Sequence, residues 1–144
     1  MKKTIITLLC FSFLATTAFS QLNFGVGATY LNNLGAQLRA DLPLVNNFDV
    51  EPKLSYYFVD NTTSLSLDVD ATYDLVNFGE ENPLYILAGP TIYRSSSNGF
   101  SDSNLGFNLG AGLGISHLRF ELKYTTLFCD NCNGQVGGNL AYMF

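Results

Sequence analysis

Tryptophan is absent from this sequence, histidine occurs once, and only 13% of the residues are charged. Only one closely spaced cysteine pair is present, Cys129 and Cys132, and two thiolates without a second pair fall short of the usual four zinc ligands. The sequence has seven Lys and Arg residues and twelve Asp and Glu residues, and this acidic balance argues against the basic surface that nucleic-acid binding requires. Because no helical period of apolar residues follows the N-terminal segment, the composition and patterning together favour a β-rich fold.

The N-terminal segment has the three parts of an export signal. Lys2 and Lys3 form a positive region, residues 5–14 form an apolar region, and small residues lead to Ser20. The apolar run is short for a transmembrane helix, which needs about 20 residues, so cleavage is favoured over anchoring. We therefore expect the signal peptide to be removed near Ser20.

Cleavage there divides the chain into a signal peptide, residues 1–20, and one mature domain, residues 21–144. Cys10 leaves with the peptide, and the residue before it is too large for a lipoprotein signal. Without Lys2 and Lys3, five cationic residues face twelve acidic ones, a formal charge of −7.

Eight strand-like segments make up the mature domain. In most of them apolar side chains occupy alternate positions, which is typical of a strand with one apolar face. Asn, Asp, Gly, Pro and Ser mark the turns between them. The predicted strands are residues 22–31, 34–42, 48–59, 64–74, 84–94, 105–116, 118–128 and 134–144.

The fifth segment is the least regular. Its apolar residues fit no single face: Leu84, Ile86, Leu87, Ala88 and Ile92. Pro90 has no N–H to donate to a neighbouring strand, so we expect a bulge or irregularity in this segment.

Charged residues lie on the polar faces of these strands in complementary signs. A soluble barrel places its apolar face inside, and a membrane barrel places it outside. A narrow membrane barrel would pair the charges in its interior, whereas a soluble barrel would leave them in water. The predicted interior network is Arg39, Asp41, Glu51, Lys53, Asp68, Asp70, Arg119, Glu121 and Lys123.

Segment lengths and aromatic positions also favour a membrane. Membrane strands need about 9–11 residues, so eight of them use roughly 80 residues of the mature chain. Aromatic residues gather near the strand ends, as in the two aromatic girdles of a membrane barrel. We assign one girdle to Phe24, Phe48, Tyr73, Tyr85, Tyr142 and Phe144, and the other to Tyr30, Tyr56, Phe58, Tyr93, Phe107 and Phe128.

The last strand ends on an aromatic residue. Leu140, Tyr142 and Phe144 share one apolar face, and Phe144 is the final residue. This strand resembles the closing strand of a bacterial outer-membrane barrel. The resemblance implies that these three side chains are the signal read by the barrel assembly machinery.

Taken with the export signal and the alternation, this ending makes the chain resemble the small outer-membrane barrels of the OmpA/OmpX type. The resemblance implies an all-β, eight-stranded antiparallel up-and-down transmembrane β-barrel in the bacterial outer membrane. It implies outer-membrane lipid and the assembly machinery as partners, and an extracellular ligand bound through the loops as a further partner. It implies a structural or surface-interaction role without catalysis or a cofactor.

Two other functions fit parts of the pattern. A soluble, exported, lipocalin-like barrel would bind a small apolar ligand inside. A small lipid-acting enzyme would need a Ser/His/Asp cluster at the outer rim. We predict that His117 lies at the opposite rim, and Ser116 would point to the other face of a strand.

Two local motifs leave alternatives open. Cys129 and Cys132 could form a metal site, a redox dithiol or a disulfide, and the oxidising compartment and missing ligands favour the disulfide. Asp68, Asp70 and Asp74 share one face and could act as catalytic carboxylates or a cation site. Pairing with the basic residues of the interior network is the favoured interpretation.

The connections differ in predicted length. With periplasmic termini, residues 95–104 form the longest outer loop, while Asn32 and Asn33 form a minimal one. The stretch from residue 75 to residue 83 is unusually long for a periplasmic turn.

Overall fold

A computed structural model describes residues 22–79, 82–97, 99–129 and 132–144. The predicted signal peptide, residues 1–20, lies outside the described residues. None of the described residues forms a helix long and apolar enough to cross a membrane. Eight strands are present: β1 Asn23–Leu31, β2 Asn33–Val45, β3 Phe48–Val59, β4 Thr62–Asn77, β5 Pro83–Ser97, β6 Phe100–Ile115, β7 Leu118–Leu127 and β8 Gln135–Met143.

The strands form one closed antiparallel barrel in chain order. The seam between β1 and β8 closes it, with paired positions running from Gly25 opposite Met143 to Tyr30 opposite Gly138. Both described chain ends therefore lie at the same end of the barrel, which we call the terminal end. The same end holds turns 46–47 and 116–117 and the connection between β4 and β5. The loop end holds Asn32, turns 60–61 and 98–99, and segment 128–134.

Alternation divides the barrel into an apolar exterior and a polar interior. Leu38 and Leu109 point outward and are 58% and 59% exposed, whereas their neighbours Gln37 and Asn108 are buried. This is the reverse of a soluble barrel, because apolar side chains form the outer surface and polar ones fill the inside. The predicted fold class is confirmed as an eight-stranded transmembrane β-barrel.

Most connections are tight hairpins. Asn47, Asn61 and Ser116 adopt positive φ angles of 65°, 55° and 52° in two-residue turns. Asn tolerates this conformation better than other residues with a side chain, which explains two of the three positions.

The predicted lengths of the two long connections are wrong, because both connections are shorter in the structure. The segment 95–104 is the tip of a hairpin, since Ser97 pairs with Phe100 around Gly99, whose φ is 83°. Its polar composition resembled a loop, yet Ser and Thr pair across β4, β5 and β6. At the other end β4 reaches Asn77 and β5 begins at Pro83, which leaves only residues 78–82 as the connection.

The fifth strand is more regular than expected. Leu84, Ile86, Ala88 and Ile92 do share the outward face, and Leu87 is the exception that points inward. The β4–β5 register is unchanged on either side of Pro90, and the shift lies between Asp74 and Val76 on β4. The predicted irregularity is thus present as an interruption of the β4–β5 ladder at Gly89 and Pro90, without a change of register there.

Two aromatic residues assigned to the girdles lie inside the barrel. Tyr85 is fully buried, and Tyr93 packs against buried Tyr57 with ring centroids 5.9 Å apart. Both occupy inward positions of β5. This strand has apolar residues at inward and outward positions alike, so the sequence pattern did not show which face points inward. On the neighbouring strands, the girdle residues Tyr73 of β4 and Phe107 of β6 are exposed on the outer surface.

Leu67→Arg should block assembly of the barrel. Leu67 is exposed on the apolar exterior, between Leu54 and Ile92 on the neighbouring strands. A cation on the lipid-facing surface costs about 2–4 kcal/mol at mid-membrane and less toward the interface, and Leu67 lies within the apolar band. Folded protein in the membrane fraction, measured by protease resistance, should fall sharply, whereas Leu67→Val should assemble normally. Normal assembly of the arginine variant would contradict the outward assignment of this face.

Candidate functional site

The inward faces of four strands bring eight of the nine predicted network residues together. These eight are all buried, and Lys53 and Asp70 have no accessible surface at 0%. The buried members are Arg39 and Asp41 on β2, Glu51 and Lys53 on β3, Asp68 and Asp70 on β4, and Glu121 and Lys123 on β7.

Glu121 is the centre of the network. Its Oε1 atom lies 2.8 Å from Arg39 Nη2 and 3.0 Å from Lys53 Nζ. Tyr85 donates its hydroxyl hydrogen to Oε1 at 2.9 Å, and Asn139 donates its amide to Oε2 at 2.7 Å. One carboxylate therefore joins side chains from five strands, and a buried charge with this many partners is well satisfied.

Glu51 and Asp41 complete the pairing of Arg39. Arg39 Nη2 contacts Glu51 Oε2, which also lies 3.0 Å from Lys53 Nζ. Asp41 Oδ1 lies 3.7 Å from Arg39 Nε, a longer ion pair. Arg39 and Lys53 thus both contact Glu51 and Glu121, in the half of the interior nearer the terminal end.

A second group lies around Lys123. Its Nζ is 2.6 Å from Asp68 Oδ2, and Thr91 donates to the other oxygen of Asp68. Asp70 accepts from Asn108 at 3.2 Å and pairs with Lys53 at 3.1 Å, so Lys53 links Asp70 to Glu121. Asp68 and Asp70 are thus each held by a cation and a neutral donor and sealed from solvent, which leaves no access for a substrate.

Arg119 and Asp74 stand apart from this network. Both are half-buried near the terminal end of the barrel. Arg119 lies over the Tyr85 ring, with Cζ 5.8 Å from the centroid. Its Nε and Nη1 atoms have no hydrogen-bond partner among the described residues.

Sequence reasoning missed the neutral members of the interior. Tyr85, Asn108, Asn139 and Thr91 each donate a hydrogen bond to a buried carboxylate, and all lie at inward positions of their strands. The parity of each strand was a signal that could have identified them. The alternate glycines of β6 provide the space: a Cβ on Gly112 would collide with the Tyr85 ring.

Cys129 and Cys132 lie at the loop end, between β7 and β8. Their Cα atoms are 5.4 Å apart with the sulfurs in contact, and Cys132 N donates to Cys129 O at 3.2 Å. This separation fits a disulfide. Within the described part of the chain, no group of three His, Cys, Asp or Glu side chains is placed to hold a metal ion.

His117 lies in the turn between β6 and β7, at the terminal end. The adjacent Ser116 does not point away from it, because the turn places Ser116 Oγ 3.0 Å from His117 Nδ1. The imidazole stacks on Tyr142, with centroids 5.6 Å apart. The pair is exposed, and in the described ranges no carboxylate hydrogen-bonds to the imidazole.

The C-terminal strand is held to its last residue. Leu140, Tyr142 and Phe144 are exposed on the outer surface. Phe144 N donates to Phe24 O at 2.8 Å, and Met143 N donates to His117 O at 2.7 Å. The outward aromatic end is thus fixed in position by β1 and the β6–β7 turn.

A soluble ligand-binding barrel needs an apolar cavity inside. In this barrel the apolar groove lies on the exterior. A groove of about 780 Å³ is lined by residues that include Ala28, Tyr30, Leu122, Gly138 and Leu140. All five belong to the outward faces of their strands. The soluble, lipocalin-like alternative is therefore wrong.

Solved structures with the same architecture are small membrane barrels. The N-terminal β-barrel domain of Pseudomonas aeruginosa OprF matches with a TM-score of 0.65 and 13% identity, over 85% of this chain and 96% of that one. This chain has the fold of the small outer-membrane β-barrels. Yersinia pestis Ail in a phospholipid bilayer nanodisc matches with a TM-score of 0.53 and 13% identity, over 85% and 98%.

Neisserial surface protein A matches with a TM-score of 0.52 and 12% identity, over 85% of this chain and 96% of that one. No known family description and no curated protein matches the sequence. The likeness is one of fold.

Glu121→Gln should destabilise the barrel by about 3 kcal/mol. The substitution removes the carboxylate shared by Arg39 and Lys53, and breaking a buried ion pair costs about 3–5 kcal/mol. The lower figure applies because Glu51 still contacts both cations. Urea unfolding in detergent micelles measures the change.

Arg119→Gln is the matched control, because Arg119 also faces the interior but has no ion pair in the described structure. Its expected change is about 1 kcal/mol or less. Equal losses in the two variants would contradict the central position of Glu121.

Proposed function

We propose that the protein is an integral outer-membrane barrel whose role is structural, with its loop end as an interaction surface. The observation that carries this proposal is the combination of an apolar exterior with a sealed, charge-paired interior. In lipid every backbone N–H and C=O must be paired within the protein, and a closed barrel achieves that. The fold shared with OprF and Ail supports the outer membrane as the location.

Export and orientation follow from the same proposal. Residues 1–20 act as a signal peptide that is removed near Ser20. Both chain ends of a barrel with an even number of strands lie on the same side of the membrane. In this proposal that side, the terminal end, is the periplasmic one. The loop end, with Asn32 and the β5–β6 hairpin, faces outward.

The barrel assembly machinery is the proposed partner during biogenesis. Leu140, Tyr142 and Phe144 form a continuous outward apolar row at the end of β8. Tyr142 and Phe144 pack edge to face, with centroids 5.4 Å apart. An apolar row of this kind, exposed on one face of β8, suits recognition by a protein receptor before the strand is assembled.

Conduction and catalysis are not part of the proposed function. Interior side chains such as Lys53, Ser55 and Asp70 have no accessible surface, so they fill the space through which solute would pass. The Ser116–His117 pair lies at the proposed periplasmic rim and lacks a described carboxylate partner. No cofactor is required for a structural role.

The loop end supports the interaction part of the proposal. At the loop end, the β5–β6 hairpin is the main candidate for contact with an extracellular ligand. Phe100 at its tip is 85% exposed. An aromatic residue this exposed on a polar hairpin is a candidate anchor for a partner.

A heat-dependent gel shift tests the barrel itself. Membrane-fraction protein extracted in detergent should migrate differently before and after boiling, because a closed barrel stays folded in detergent until it is heated. Recovery in the soluble periplasmic fraction, with identical migration before and after boiling, would contradict the proposal.

We also propose that Cys129 and Cys132 form a disulfide, as an exported loop permits. Alkylation of exported protein should label neither cysteine before reduction and both after it, as measured by intact mass. The bond closes a four-residue loop, so reduction should lower the unfolding free energy by about 2 kcal/mol or less. Labelling of both thiols without reduction would contradict the disulfide, and the Cys129→Ser, Cys132→Ser double variant should retain the heat shift.

A further inference from the structure

Arg94 differs in position from the other basic residues of the barrel. The described chain holds five Lys and Arg residues, and four of them face the interior: Arg39, Lys53, Arg119 and Lys123. Arg94 is exposed on the outward face of β5, near the loop end. In an acidic protein the exterior of the described barrel thus carries one cation, at one place.

Hydroxyl groups surround this guanidinium. Arg94 pairs across the strands with Leu65 on β4 and Ser103 on β6. Its Nε donates to Ser101 Oγ at 2.9 Å, and Ser96 lies on the same outward face. The terminal nitrogens Nη1 and Nη2 make no hydrogen bond within the described residues, so the planar fork remains available.

The position of this cluster is the edge of the apolar band. The next outward row toward the terminal end is Leu67, Ile92 and Leu105, which are all exposed and apolar. Beyond Arg94 the outward row is Thr63, Ser96 and Ser101, which is entirely hydroxylic. The guanidinium therefore lies where acyl chains give way to headgroups in a barrel that spans a bilayer.

We propose that Arg94, with the hydroxyls of Ser101 and Ser103, binds the phosphate of an anionic membrane lipid in the leaflet at the loop end. This proposal rests on the proposed membrane function. A guanidinium binds phosphate oxygens in a bidentate geometry, and neighbouring hydroxyls add donors that a simple interfacial cation would lack. Adjacent Leu67 and Ile92 would contact the acyl chains of the same lipid, which favours a lipid over free phosphate.

Lipid selectivity of the reconstituted barrel tests this site. Spin-labelled phosphatidic acid and spin-labelled phosphatidylcholine are compared for association with the protein in phosphatidylcholine bilayers. The wild type should prefer phosphatidic acid about fivefold, the effect expected of one basic side chain near an anionic surface. Arg94→Gln should bring the ratio close to one, and Arg94→Lys should retain only part of the preference because the bidentate fork is lost.

Ser101→Ala should weaken the preference, since it removes the hydroxyl that holds Nε. Thr126→Ala is the matched control: Thr126 pairs with outward Phe107 on another part of the barrel and should leave the ratio unchanged. Every variant is first checked for the heat-dependent gel shift, so a failure of the barrel is separated from a failure of the site.

Three results would overturn the proposal. They are an unchanged preference in Arg94→Gln, full preference in Arg94→Lys, and loss of the wild-type preference in millimolar inorganic phosphate. The first assigns the selectivity to another surface, the second reduces it to simple charge attraction, and the third identifies free phosphate as the ligand.

Discussion

The pairing of β1 with β8 is the interaction on which the rest of the structure depends. Six residue pairs, from Gly25–Met143 to Tyr30–Gly138, close the sheet and remove both of its edges. Gly27 permits this contact, because a Cβ there would collide with the backbone of Leu140 and Ala141. Once the sheet is closed, every strand has one face toward a narrow interior and one toward the surroundings. The apolar exterior and the charged interior are two consequences of that closure.

The interior then requires charge balance, because it is too narrow to hold bulk water around each ion. Glu121 pairs with two cations, Lys53 also pairs with Asp70, and Lys123 pairs with Asp68. Removing one partner of such a network is costly, since a buried charge is left unpaired. Neutral side chains such as Asn139 satisfy the remaining oxygens. The network therefore fills the barrel with side chains whose charges are paired.

Prediction from sequence succeeded where a strand carries one polar and one apolar face. β3 was predicted with its observed bounds, and the charged residues of β4 were placed on their observed face. Prediction failed where the composition of a segment is typical of a structure other than the one it forms. The serine-rich segment 95–104 resembles a loop, but its hydroxyls lie on paired strands. Tyr85 resembles a girdle residue, but the interior of β5 also holds Leu87, so hydrophobicity did not distinguish its two faces.

The sequence by itself determined the number of strands, the two faces of most of them, and the complementary signs of the charges on the polar faces. Those properties depend on each strand alone, through the two-residue period of its backbone. The tertiary structure decided which side chains meet. Arg39 reaches Glu121 across 82 residues, and Thr29 donates to Asn139 across 110 residues. Such contacts depend on closure and on the register of every intervening pair, which no single strand specifies.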